Sequence, residues 1–144
     1  MTVICWDGHT LAADKMADVG GLRRSVTKVH RIQGCLTAYA GSTPHGEEML
    51  DWFKRGAKPA DFPPSQRDNE NWAGLLAITP DGEILKFENT PFPVRFDHGQ
   101  TIAIGSGRDY AMAAMHLGKS AQEAVEIACL FDTGCGNGVD TLTF

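Results

Sequence analysis

A chain of 144 residues is the common size of one domain, and one domain over 1–144 is expected. Hydrophobic residues make up 42% and charged residues 22%, too apolar a balance for a disordered chain. The formal net charge of −5 argues against nucleic acid as a partner, because affinity for phosphate rests on Lys and Arg, and Arg23-Arg24 is too short a run to reverse it.

Thr2 to Trp6 is β-branched and apolar, Asp7-Gly8 is a hairpin turn, and His9 to Asp14 returns as a second strand. The same Asp7-Gly8 interrupts any leader-like apolar run, and no apolar stretch approaches the ~18 residues of a membrane span. A cytoplasmic protein with no membrane partner is expected. Met16 to Arg24 is punctuated by Gly20-Gly21 and reads as a loop. Ser25 to Ile32 alternates as a strand, and Gln33-Gly34 turns it into a further strand, Cys35 to Ala40.

The first helix follows. Ser42 and Thr43 offer caps, Pro44 suits the first helical position, and Met49, Leu50, Trp52 and Phe53 form one apolar stripe. Residues 57–71 hold three prolines and read as a loop. Trp72 to Thr79 and Glu83 to Phe87 pair as strands around Pro80-Asp81-Gly82, and Gln100 to Ile104 is another strand. It enters Gly105-Ser106-Gly107 and a helix from Arg108 to Leu117. Ser120 with Glu123 is a capping box, and Ala121, Ala124, Val125 and Ala128 form the core face of a second helix. Val139 to Phe144 closes the chain as a strand. Hairpins rather than βαβ units argue for antiparallel sheets with helices packed on them, an α+β class.

The four cysteines, Cys5, Cys35, Cys129 and Cys135, form no CxxC pair. Three sit in apolar contexts and read as core thiols of a reducing compartment; Cys135 sits among glycines. The histidines lack metal-ligand spacing, so neither metal nor cofactor is expected.

Three polar residues break the pattern. Thr2 becomes terminal if Met1 is removed. A terminal Thr carries a nucleophilic hydroxyl and an α-amine of pKa about 8, close to ideal for a general base. While Met1 is attached, that nitrogen is an amide and no base. Lys28 lies in mid-strand among apolar neighbours, where Lys is disfavoured unless paired or exposed. It either faces solvent or pairs with Asp14 beside Thr2, where its charge would favour a neutral amine and stabilise developing negative charge.

Thr2-Val3-Ile4, Leu11-Ala12-Ala13-Asp14, Thr27-Lys28-Val29, Ala40-Gly41-Ser42, Ala103 to Gly107 with Tyr110-Ala111, and Phe131 to Gly136 stand in one order along the chain. That series resembles the proteasome β-subunit and HslV family. The short length and Trp6-Asp7-Gly8 are most similar to the small proteasome-like proteins of phages and prophages. The resemblance implies the N-terminal nucleophile hydrolase fold, an αββα sandwich of two antiparallel sheets between helix layers. One helix, the long one that usually follows the first, is expected to be missing or shortened here.

The resemblance implies site residues by position. Thr2 would be nucleophile and base, Lys28 would tune the amine, Asp14 would hold Lys28, and the Gly41 N–H would be the oxyanion donor. Ser106 and Asp132 would order the amine. Cys135 falls where the family usually has Ser, and a thiol is the poorer donor. Val26, His30, Tyr39 and Thr43 would flank a substrate side chain. The implied function is a threonine-type endopeptidase acting on polypeptide inside a ring-shaped homo-oligomer, with an ATPase unfoldase as a partner if the thinner helix side still docks one. A non-catalytic scaffold that keeps Met1, and a hydrolase of small amides, are the alternatives.

Overall fold

The computed structural model describes residues 1–67, 70 and 72–144. Its chain forms two compact units, Met1–His30 with Gly99–Phe144, and Arg31–His98.

The first unit is built on a four-stranded sheet. Strands β1 (Ile4–Trp6) and β2 (Thr10–Asp14) form the expected hairpin. Asp7 fixes its turn, accepting from the His9 and Thr10 N–H groups at 2.9 and 2.7 Å. β10 (Ile102–Ile104) pairs with the outer side of β1, and the last strand, β11 (Val139–Thr143), pairs with β2, all antiparallel. Two helices lie on this sheet, α3 (Arg108–His116) and α4 (Ala121–Phe131). Their core is made of small side chains. Val3, Cys5, Ala12 and Ala103 of the sheet side pack with Ala111, Ala114, Ala121, Ala124, Val125 and Ala128 of the helices. Alanine at most of these contacts lets a helix axis approach the sheet closely and keeps helix propensity high.

The start of α4 is doubly held. Ser120 and Glu123 make the expected capping box, and Asp7 Oδ2 accepts from the Ala121 N–H at 2.8 Å. The β1–β2 turn is thereby tied to a helix more than a hundred residues away.

One stretch departs from expectation. Residues 16–24 are not a loop: β3 (Met16–Val19) and β4 (Leu22–Ser25) pair as a separate hairpin. Gly20 and Gly21 form its turn at φ of 60° and 80°, the left-handed conformation that two-residue hairpin loops require. Only Met16 is buried, so the apolar alternation that marks a strand is missing. The expected strand from Ser25 also starts late, because β5 is Val29–Ile32.

The chain passes into the second unit within β5. This unit carries a five-stranded sheet in the order β5, β6 (Cys35–Ala40), β7 (Gly74–Ile78), β8 (Ile84–Phe87), β9 (Val94–Phe96). Pairing is antiparallel from β6 through β9. β9, three residues preceded by Pro91 and Pro93 and mostly exposed, has no sequence signal. Helix α1 (Thr43–Lys54) lays Met49, Leu50, Trp52 and Phe53 on Leu75, Ala77 and Phe87. The Trp52 ring meets Phe62 and Phe87 edge to face, and its Nε1 donates to the Lys58 carbonyl at 2.9 Å.

The proline-rich segment after α1 is more ordered than a plain loop. It holds a 3₁₀ turn, Pro59–Asp61, and a single-turn helix, α2 (Pro64–Arg67). Gln66 is fully buried, and its amide exchanges two hydrogen bonds with the Ala73 backbone at 3.0 and 3.2 Å. Residues 68, 69 and 71 of the expected loop lie outside the described residues. Among the described residues no long helix follows α1 before β7. No described helix is long and apolar enough to cross a membrane.

Candidate active site

Six polar or thiol residues converge in the first unit. Their anchor is Asp14, the last residue of β2, which is fully buried. Its Oδ1 accepts from the Val3 N–H at 3.0 Å, from Thr2 Oγ1 at 2.9 Å and from Lys28 Nζ at 2.8 Å. Its Oδ2 accepts from the Met16 and Gly136 N–H groups at 3.2 and 3.0 Å. Five donors thus replace water around one carboxylate, which is what a buried charge requires.

Lys28 completes the cluster. It precedes β5 and turns inward, with its side chain 10% exposed. Of the two readings open from sequence, pairing with Asp14 is the geometry observed. Nζ also donates to Thr2 Oγ1 at 2.7 Å, so one ammonium bridges the hydroxyl and the carboxylate. Val26 on the same segment is exposed, its N–H bound to the Lys15 carbonyl at 2.8 Å, and His30 is half-buried.

The backbone of Thr2 is held from the other side. Its N–H donates to Ser106 Oγ at 3.2 Å, and its carbonyl accepts from the Gly107 N–H at 3.1 Å and the Ser106 hydroxyl at 3.3 Å. Gly105 makes room for this approach. Its φ is +96°, and a Cβ there would collide with the Thr2 carbonyl oxygen and stand 2.7 Å from Thr2 Cγ2. Glycines 105, 107 and 136 lie in segments that the sequence marks out, but no site role was assigned to them from sequence. Their signal was glycine next to polar residues at an element boundary.

Asp132 ends α4 and accepts from the Gly134 N–H at 2.7 Å. The Ser106 hydroxyl facing it, then that N–H, hold its carboxyl below the usual range. The Cys135 thiol stands 3.9 Å from Ser106 Oγ. Burial, reinforced by the Asp14 charge, pushes it up to about 12, so it stays a protonated, weak donor. Cys135 belongs to the buried core beside Cys5, while Cys129 is only half-buried, the reverse of their expected contexts.

Gly41, Tyr39 and Thr43 lie in the second unit, where β6 meets α1. Gly41 has φ +125° and abuts Ala73, where a Cβ would stand 2.9 Å from Cα. The Tyr39 hydroxyl donates to Glu47 Oε1 at 3.0 Å; burial first, and then that carboxylate, push it up to about 12. Thr43 opens α1 and is exposed. Among the described residues no three His, Cys, Asp or Glu side chains converge as a metal site requires.

Chemically, the first unit presents one hydroxyl in contact with a buried ammonium, next to its own backbone nitrogen. If that nitrogen is a free amine, a nucleophile and a base share one residue.

Comparison with solved structures identifies the fold. The chain superposes on Thiobacillus denitrificans BPH with a TM-score of 0.74 at 20% identity, covering 100% of this chain and 97% of that one. The same protein in complex with epoxomicin gives 0.74 and 20%, covering 100% and 98%. Eukaryotic HslV from Trypanosoma brucei gives 0.68 at 20% identity, covering 98% and 97%. The N-terminal nucleophile hydrolase fold expected from the resemblance is therefore the fold observed. No family model and no curated protein matches the chain.

Proposed function

We propose that the protein is a threonine-type endopeptidase whose nucleophile is Thr2 once Met1 is removed. The observation that carries this reading is the buried Thr2–Lys28–Asp14 contact, with Lys28 Nζ within 2.8 Å of both partners. A hydroxyl held against a buried ammonium is a poor way to stabilise a strand and a good way to stabilise an alkoxide.

The reaction runs through this chain's own groups. The α-amine of Thr2 takes the hydroxyl proton as Oγ1 forms a bond to the substrate carbonyl carbon. The carbonyl oxygen becomes an oxyanion, for which this reading assigns the Gly41 N–H. The oxyanion collapses, the C–N bond breaks, and the leaving amine takes the proton from the α-ammonium. Water then attacks the Thr2 ester, giving its proton to the amine, and the hydroxyl is restored. Lys28 holds positive charge beside Oγ1 throughout. Asp14 keeps Lys28 in place, and Ser106 with Asp132 orients the amine. Cys135 adds little to that relay, because its thiol donates weakly. Val26, His30, Tyr39 and Thr43 flank the substrate side chain.

The substrate in this reading is polypeptide, and the enzyme works as a closed homo-oligomer in the cytoplasm. The single helical turn of α2 leaves less helix for an unfoldase to grip, so docking of an ATPase is weak or altered.

The test is peptide hydrolysis by a chain that begins at Thr2, verified by intact mass, beside the chain that keeps Met1. Cleavage by the first and none by the second is expected. Epoxomicin, the compound bound to Thiobacillus denitrificans BPH, is expected to block the cleavage. An inert Thr2-starting chain would favour the non-catalytic scaffold.

A further inference from the structure

Gly134 has no conformational need to be glycine, since its φ lies outside the left-handed region. What excludes a side chain there is Met1. The three atoms nearest to a Cβ on Gly134 are all Met1's: its Cβ, its Sδ at 2.6 Å and its Cγ at 2.8 Å. Met1 therefore lays its side chain on a bare stretch of backbone. That backbone is braced from behind, with the Gly134 N–H on Asp132 Oδ1 at 2.7 Å and the Cys135 N–H on the Asp132 carbonyl at 3.2 Å. The rest of Met1 is open to solvent, so the seat is one-sided.

The seat is one residue away from the Thr2 nitrogen. In the hydrolase reading, on which this inference rests, that nitrogen hands its proton to the leaving amine. The leaving nitrogen must come within hydrogen-bond reach of it. The residue that carries the leaving nitrogen then occupies the space around Thr2 N that Met1 fills here. Its side chain has the reach that Met1's has.

We propose that, after Met1 is removed, the bare face of Gly134 seats the side chain of the substrate residue just after the scissile bond. The seat takes an unbranched apolar side chain of methionine's size. Apolar contact with exposed backbone carbon favours such a chain, and the Asp132 carboxylate next to it disfavours an acidic one. Removing Met1 thus frees the amine and clears this seat in one step.

The experiment uses chains that begin at Thr2 and peptides identical except for Met, Gly or Asp after the cleaved bond. The parent is expected to favour Met over Gly by about tenfold in kcat/KM, carried by KM, the scale of a small apolar pocket. Asp is expected to be the poorest. Gly134→Ala should bring the Met-to-Gly ratio near one, with the loss falling on KM for the Met peptide. The three atoms nearest to its Cβ all belong to the absent Met1, so the variant is expected to fold. An unchanged preference in Gly134→Ala, or none in the parent, overturns the seat. Failure of the parent to cleave any peptide overturns the hydrolase reading instead. The contact itself is then read from the chain that keeps Met1, by the methyl signal of ¹³C-labelled methionine. A signal displaced from its free-chain value in the parent, and returned to it in Gly134→Ala, is expected; a free-chain value in both overturns the seat by itself.

Discussion

Thr2 Oγ1 is the atom on which the functional reading turns, and its surroundings say what its loss should cost. Thr2→Ala removes a hydroxyl bound to Lys28 and Asp14 but leaves those two paired at 2.8 Å. The stability loss is then about 1 kcal/mol, the net worth of one hydrogen bond. Peptide hydrolysis by Thr2→Ala is expected to be absent while its melting temperature stays near the parent's. Thr2→Ser keeps both hydroxyl and amine and should retain part of the rate. Lys28 and Asp14 behave differently. Each is buried, and removing one leaves the other's charge uncompensated, which costs about 3–5 kcal/mol. Lys28→Ala and Asp14→Asn should each abolish hydrolysis and lower the denaturation midpoint. The double variant should be less destabilised than the sum of the two, because its buried charge is gone. Strict additivity in chemical denaturation would show that the two act apart.

At the scale of elements, Asp7 joins the β1–β2 turn to the start of α4. Burial by itself would raise its carboxyl, but the Ala121, Thr10 and His9 N–H groups outweigh that and hold it below its usual value. A carboxyl lowered on folding adds stability that is complete above the unfolded value, about 4, and is lost as pH falls through the folded value. Asp7→Asn should therefore be less stable than the parent at pH 7, and the gap should narrow as the pH drops below about 4. A gap that is constant across the acid range would sink this account. The β3–β4 hairpin makes the opposite point. Val19 and Leu22 at its end are 58% exposed, so substitution there should leave stability unchanged within about 0.5 kcal/mol.

For the molecule as a whole, the proposed chamber is the feature open to direct measurement. A terminal-Thr peptidase loose in the cytoplasm would attack partly unfolded proteins, and a closed symmetric assembly removes that hazard. The first unit has apolar surface to spend on association: Tyr110 and Phe131 stack 5.5 Å apart while exposed, and Leu130 is 77% exposed beside them. Light scattering at micromolar concentration is expected to give several times the mass of one chain. A strict monomer that cleaves peptides would shift the reading to a hydrolase of small amides.

Local signals were enough for much of this architecture. The Asp7 turn, the Ser120–Glu123 box, the proline in the first turn of α1 and the apolar faces of α1 and α4 each act within a few residues, so they can be read before any packing is known. β3, β4 and β9 escaped because a strand with little buried surface leaves no period-two pattern. For the site, sequence order and resemblance named Thr2, Asp14 and Lys28, but sequence left the direction of Lys28 open. Its inward turn was decided by tertiary structure, because five donors from four separate segments had to converge on Asp14 before a buried ammonium became tolerable. The same holds for Gly105 and Gly134. Nothing near them in the chain says that one must clear the Thr2 carbonyl and the other the Met1 side chain, since both neighbours lie more than a hundred residues away.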